Sequence, residues 1–388
     1  MKNTPHDPVS MLQALVRCPS VTPHDAGALS TVQNWLAPAG FMCERLIFRD
    51  KDTPDIDNLF ARHGTGGKHL CFAGHTDVVP QGDESIWSAA PFSAEIRDGV
   101  MYGRGTVDMK GSIAAFAAAA LDYIRENPRY SGSISFLITN DEEGPAINGT
   151  VKVLQWMKDN GHAPDHCLVG EPSCTEALGD TIKIGRRGSL SFIVSVEGKQ
   201  AHAAYPHKGD NPIPKLARLV ERLSAAKIDD GNAHFDPSTL AFTSFDVGNP
   251  AGNVIPSKAV LKFNIRYSTE HDFASLKAWV AAHIDAVKAE MGGRWSVSHV
   301  EGAEAFITEP GPFVELVQKA VESETGVRPK LSTSGGTSDA RFVKDYCPVL
   351  EFGPRNATIH QTDERIEVAE LQAVTKVYRK VIEAYFAS

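Results

Sequence analysis

The chain has 388 residues, of which 42% are hydrophobic and 22% charged, and a formal net charge of −9. That length exceeds what one hydrophobic core fills and predicts two domains. The acidic balance, the scatter of Lys and Arg, and the lack of any apolar run near eighteen residues set aside nucleic acid and membrane as partners.

The opening stretch MKNTPHDPVSMLQALVRCPS has neither the positive patch nor the continuous apolar run of a secretory signal. It reads as an amphipathic helix, which implies a cytoplasmic protein. Apolar runs at Leu70 to Ala73, Ile134 to Ile138 and His166 to Val169 predict buried strands of an α/β sheet. The Ala-rich segment from Ser112 to Arg125 predicts a helix between them. From Ser189 the style changes to β-α-β-β-α-β: an alternating strand, a helix after Asn211, strands near Thr239 to Asp246 and Ala259 to Ser268, a helix from Ser275 to Met291, and a strand from Arg294 to Val300. This order predicts a ferredoxin-like α+β domain. In its second helix Leu276, Trp279, Val280, Ile284, Val287 and Met291 recur at helical spacing and form the buried face. Beyond Glu301 the α/β style returns, with a helix near Pro312 to Ser323, a Gly/Ser/Thr loop at 332 to 338, a strand at Pro348 to Phe352 and a terminal helix. Residues 1–187 and 301–388 are therefore expected to form one discontinuous catalytic domain, interrupted by an insertion at 188–300. The six cysteines (Cys18, Cys43, Cys71, Cys167, Cys174, Cys347) contain no Cys-x-x-Cys pair and are expected to be reduced and structural.

His75, Asp108, Glu143, Glu171 and His360 each lie just beyond an apolar run or in the loop before the Ala-rich helix, and sites in open α/β sheets assemble at the carboxyl ends of strands. Singly, such residues are ordinary surface or structural groups. Two imidazoles with three carboxylates and no thiolate suit zinc better than calcium or magnesium, and five donors can hold two ions if one carboxylate bridges. Asp77, two residues after His75, is spaced to accept the second ring N–H. Glu142 and Glu143 are neighbours whose side chains diverge, so one is free for acid/base work.

The motifs GHTDVVP, GRGTVDMKG, NDEEG, GEP, AHAAYP and TIHQTDE, in this order over nearly the whole chain, resemble the co-catalytic zinc amidohydrolase and exopeptidase family. The resemblance implies a zinc-binding α/β domain with an inserted dimerisation domain. It implies two Zn2+ per subunit, replaceable by Co2+ or Mn2+: His75 and Glu171 on one, Glu143 and His360 on the other, and Asp108 as bridge. Glu142 becomes the general base. His202 becomes the residue that crosses a homodimer interface to stabilise the oxyanion, a role that spacing alone does not reveal.

Arg186, Arg187, Asn253, Arg266, Gly336, Thr337 and Asn356 resemble the branch of that family acting on an anionic succinyl group, since an additional carboxylate needs a cationic cradle. The implied substrate is N-succinyl-L,L-diaminopimelate, in bacterial lysine and diaminopimelate synthesis. Each of these residues alone also reads as a solvated side chain or a tight turn. An acetyl-removing member such as acetylornithine deacetylase is the alternative within the family, and a non-catalytic metal-binding scaffold the alternative outside it. The free carboxylate of Glu142 counts against the scaffold.

Overall fold

The computed structural model describes residues 5–387. The chain divides into two compact units, one made of the residues up to Ile184 with Thr308–Ser332 and the segment from Ser338 onward, the other of Gly185–Ile307 and Thr333–Thr337.

The first unit is built on an eight-stranded sheet. Its order is Met42–Phe48, Ile56–His63, Ser133–Thr139, His69–His75, His166–Val169, Val349–Glu351, Thr181–Lys183 and Lys330–Ser332. The four strands from Ser133–Thr139 to Val349–Glu351 run parallel, and their continuous apolar sequences follow from burial on both faces. Ser133–Thr139 and His69–His75 are buried at every position. The Ala-rich helix is Lys110–Glu126, buried from Lys110 through Leu121. Alanine at 114, 115 and 117–120 lets it lie close, while Phe116 stacks on Phe72 with ring centroids 4.4 Å apart. Proline at the first turn and the Asp7 side chain start the N-terminal helix Pro8–Val16, and residues 1–4 of its expected span lie outside the described residues.

The second unit carries a four-stranded antiparallel sheet in the order Thr239–Asp246, Lys258–Tyr267, Gly188–Glu197, Arg294–Ala303. With helices Pro212–Ala225 and Phe273–Met291 this is the ferredoxin-like arrangement. Inward residues of Gly188–Glu197 and Lys258–Tyr267 alternate strictly with half-exposed ones. Leu276, Val280, Ile284 and Val287 are buried against them, with Trp279 and Met291 at the margin. The second helix begins two residues before the expected Ser275, because Asp272 and Ser275 form a reciprocal capping box. All six cysteines are free thiols. Among the described residues no helix is long and apolar enough to cross a membrane.

One buried group makes the first unit acid-sensitive. The ring nitrogens of His69 meet the Ala163 carbonyl at 3.2 Å and Ser135 Oγ at 2.7 Å. Burial first, then the positive charge of Arg62, pushes its pKa from 6.5 down to about 4. The folded chain thus refuses a proton that the unfolded chain accepts. The stability this represents is complete above pH 6.5 and is lost as pH falls toward 4, to a total of about 3 kcal/mol. Chemical denaturation between pH 7 and 4 is expected to show the native chain losing more stability than His69→Gln by roughly that amount. Parallel profiles for the two proteins would remove His69 as the cause.

Candidate metal centre

The five candidate ligands come from separate loops at the ends of buried elements of the first unit. His75 is the last residue of its strand, Asp108 precedes the Ala-rich helix, Glu143 follows Ser133–Thr139, and Glu171 follows His166–Val169. His75 and Glu171 each follow a glycine. A side chain at Gly74 or at Gly170 would collide with Met109, the neighbour of Asp108, so the bare backbone lets three loops converge. The Asp108–Met109 peptide bond is cis.

The geometry is a chain of contacts centred on Asp108. Its Oδ1 lies 3.2 Å from His75 Nε2 and its Oδ2 3.2 Å from His360 Nε2. His75 Nε2 is also 3.6 Å from Glu171 Oε1, and His360 Nε2 is 2.8 Å from Glu143 Oε1. Donor atoms of His75, Asp108 and Glu143 all lie within 4.8 Å of one another. The two oxygens of one carboxylate therefore serve two imidazoles, each backed by a further carboxylate.

This donor set fits a metal. His75 Nδ1 lies 2.9 Å from the Asp77 carbonyl oxygen, which can only accept, so Nδ1 carries a proton. Nε2 then faces two carboxylates, and a cation must stand between them, either a second ring proton or a metal ion. Without metal, protons fill that need. Burial opposes charge on His75, but hydrogen bonds to Asp108 and Glu171 outweigh it and hold the ring well above its ordinary value. Asp108 and then Glu143 raise His360 to about 10. Burial pushes Glu171 up to about 7 and Glu142 well above the carboxylate range. A divalent cation acts in the opposite direction on every one of these groups.

Asp77 departs from expectation in one detail. Its carboxylate lies 3.6 Å from His75 Nδ1, beyond hydrogen-bond range, and the ring is held by the Asp77 main chain. The carboxylate accepts instead from the backbone N–H groups of Glu142 (3.3 Å) and Glu143 (3.0 Å). Fully buried, it fixes the acidic pair rather than the imidazole. Burial raises it to about 6.

Two further buried carboxylates escaped the sequence reading. Asp141 accepts from the amides of Ala146, Ile147 and Asn148, closing the loop that carries Glu142 and Glu143. Glu364 accepts from Arg104 Nη1 and from the amides of Gly105, Val107 and Asp108. Both lie inside the quoted motifs NDEEG and TIHQTDE, the only signal that could have marked them. His360 itself adopts φ 57°, the left-handed region, a conformation that persists only when its surroundings impose it.

Asn356 stands in the first unit, its amide donating to the Cys174 carbonyl at 2.9 Å. Arg186, Arg187, His202, Asn253, Arg266, Gly336 and Thr337 belong to the second unit. There Arg186 Nη1 donates to the Ser334 carbonyl at 3.2 Å, in the short segment that includes Gly336 and Thr337. Arg187 has a buried Nε without a hydrogen-bond partner. Burial, and then the like charge of Arg187, lowers the pKa of Arg266. His202 pairs with Val254, next to Asn253, whose carbonyl accepts the Ala203 amide. The Ala204 amide donates to His202 Nδ1 at 3.1 Å. That leaves Nε2 as the protonated, outward-available nitrogen of an exposed ring.

Comparison with known proteins identifies the family. The profile of Peptidase family M20/M25/M40 matches residues 71–384. A succinyl-diaminopimelate desuccinylase of Parvibaculum lavamentivorans is 51% identical over 384 residues, covering 99% of this chain and 97% of its own. The protein of that name from Nitrobacter hamburgensis is 53% identical over 386 residues, covering 98% and 99%. Among solved structures, the aminopeptidase PepT of Bacillus cereus superposes with a TM-score of 0.78 at 20% identity over 98% of both chains. The Bacillus subtilis YXEP protein, described as a dinuclear metal-binding peptidase, gives 0.70 at 15% identity over 97% of this chain and 98% of its own.

Removing the shared carboxylate is the sharpest test of the cluster. Asp108→Ala is expected to weaken metal binding by more than about tenfold and to lower retained metal below that of either His75→Ala or His360→Ala. Elemental analysis after dialysis against a competing chelator reads this directly. Equal retention in all three variants would deny Asp108 a shared role.

Proposed function

The chain belongs to peptidase family M20/M25/M40, and from that premise we propose that it hydrolyses N-succinyl-L,L-diaminopimelate to succinate and L,L-diaminopimelate. It is a metal-dependent amidohydrolase of lysine and diaminopimelate synthesis, acting on a small acyl amino acid. The observation that carries the hydrolytic reading is Asp108, with one oxygen toward each of two imidazoles. The succinyl preference rests on relatives of that name at 51% and 53% identity over nearly full length. Arg187 and Arg266 support it, two neighbouring guanidinium groups with no carboxylate partner among the described residues.

In this reading His75 and Glu171 would hold one zinc ion and Glu143 and His360 a second, with Asp108 shared by the two donor pairs. Cobalt or manganese can occupy the same donors. The chemistry such ions would supply is polarisation of the scissile carbonyl and a lowered pKa for the attacking water. Glu142 takes the proton of the attacking water and passes it to the departing amine nitrogen. Its backbone is fixed by Asp77, so the carboxyl can exchange a proton without the loop moving. His202 donates from Nε2 to the oxygen that becomes negative as the carbonyl turns tetrahedral. We place this donor across a homodimer interface. The strand Arg294–Ala303, exposed at nearly every position and lying at the edge of its sheet, offers an unpaired ladder for self-association. Arg187 and Arg266, with Arg186, Asn253, Gly336, Thr337 and Asn356, receive the substrate carboxylates. We assign the enzyme to the cytoplasm.

The deciding assay is release of L,L-diaminopimelate from the succinyl compound by zinc-loaded protein, beside N-acetylornithine and a chelator-treated sample. Chelator-sensitive cleavage of the succinyl compound is expected, and preference for acetylornithine would overturn the substrate assignment. Glu142→Gln is expected to keep its metal and lose roughly 10²–10⁴-fold in kcat, and near-normal turnover would reject it as the base. Arg266→Ala is expected to lower kcat/KM for the succinyl substrate by about 10–100-fold, the loss of one charge-assisted contact. An equal loss on an acetyl substrate would show that the arginine does not read the acyl carboxylate.

A further inference from the structure

We propose that Glu364 is the positioning residue of the metal centre, holding the bridging Asp108 and the His360 turn in one register. The proposal rests on the reading above, in which Asp108 and His360 are metal donors. Glu364 is wholly buried, four residues beyond His360, and is paired with the buried Arg104. Its Oε2 accepts from Arg104 Nη1 (2.8 Å) and Gly105 N (3.1 Å), and its Oε1 from Val107 N (3.0 Å) and Asp108 N (3.2 Å). Its own carbonyl accepts the Gly103 amide at 2.8 Å. The loop from Gly103 to Asp108 is thus wrapped around one carboxylate, and the last donor is the amide of the bridging residue itself.

The same clamp reaches the histidine. Arg104 Nη1 also donates to the Gln361 carbonyl at 3.1 Å, while the guanidinium stacks 5.2 Å from the Trp87 ring. His360, in its left-handed conformation, directly precedes Gln361, and the turn from Gln361 to Glu364 is tied at both ends to this ion pair. The donors on Asp108 and His360 are therefore set relative to each other by Glu364 before any metal arrives. Glu364 touches neither metal nor substrate, and acts through the loop.

The isosteric Glu364→Gln discriminates well. Each carboxylate oxygen serves two donors, so whichever side the amide NH2 takes, two N–H groups lose their acceptor and face another donor. Zinc affinity is read by competition with a chromogenic chelator on native protein, Glu364→Gln, Glu364→Asp and Val321→Ala. The last removes buried volume from the helix Pro312–Thr325, which carries none of these donors, and controls for general loss of stability. Expected is a weakening of zinc binding by about 10–100-fold in Glu364→Gln, a smaller loss in Glu364→Asp, which keeps the charge, and no more than twofold change in Val321→Ala. Native-like affinity in Glu364→Gln overturns the clamp and leaves the metal centre standing. An equal loss in Val321→Ala overturns it too, as mere destabilisation. Failure of the native protein to bind zinc rejects the donor assignment and the clamp with it. If Glu364→Gln does not fold, Arg104→Met, which removes the donor to both Glu364 and Gln361, is read the same way, with weakened zinc binding expected and native affinity overturning the proposal.

Discussion

Concentrated negative charge, buried at the ends of parallel strands, is the constraint from which the rest of the first unit follows. Glu142, Glu143, Glu171 and Asp108 are drawn together where water is scarce, and isolated carboxylates in such a place would give up their charge. Two imidazoles supply part of the compensation, and the proton affinities of His75 and His360 register how strongly more is wanted. A divalent cation meets that demand without a titrating proton.

The scaffold meets a second demand by a repeated device. Around the cluster, Asp77, Asp141 and Glu364 spend their oxygens on main-chain N–H groups of the loops that carry the candidate donors. A loop cannot hold its own amides in fixed directions, and water would let them wander. A buried carboxylate accepting several amides at once converts a flexible connection into a fixed turn. The parallel strands bring the loops near each other, and these anchors determine where each side chain starts.

Much of this was legible before any coordinates. The ferredoxin-like unit announced itself because its sheet is half-buried and its alternation survives in the sequence, as in Gly188–Glu197. His75, Glu143 and Glu171 stood out because each follows an apolar run. Other parts left no local trace. Met42–Phe48 is an edge strand whose residues are mostly half-buried, and its sequence carries no clean period. The ribbon of Glu95–Arg97, Val100–Tyr102 and Arg365–Glu367 consists of three-residue strands joined over a long sequence separation. The ties of Glu364 reach back some 260 positions, and nothing in a Glu after Asp363 says that its partners are amides. The carboxylate of Asp77 was expected on the ring of His75, because spacing gives proximity and not the competition from the Glu142 and Glu143 amides that claims it.

The division of residues between the two units also bears on how such a protein changes over time. The cluster around Asp108 draws only on the first unit, whereas Arg186, Arg187 and Arg266 stand on the second. In the proposed reading, substitutions at Arg187 or Arg266 alter which acyl group is favoured while the metal donors keep their own scaffold. On that reading one set of metal donors can serve a lineage of specificities, with selection on the acyl-binding arginines and selection on the metal donors acting on separate stretches of the gene.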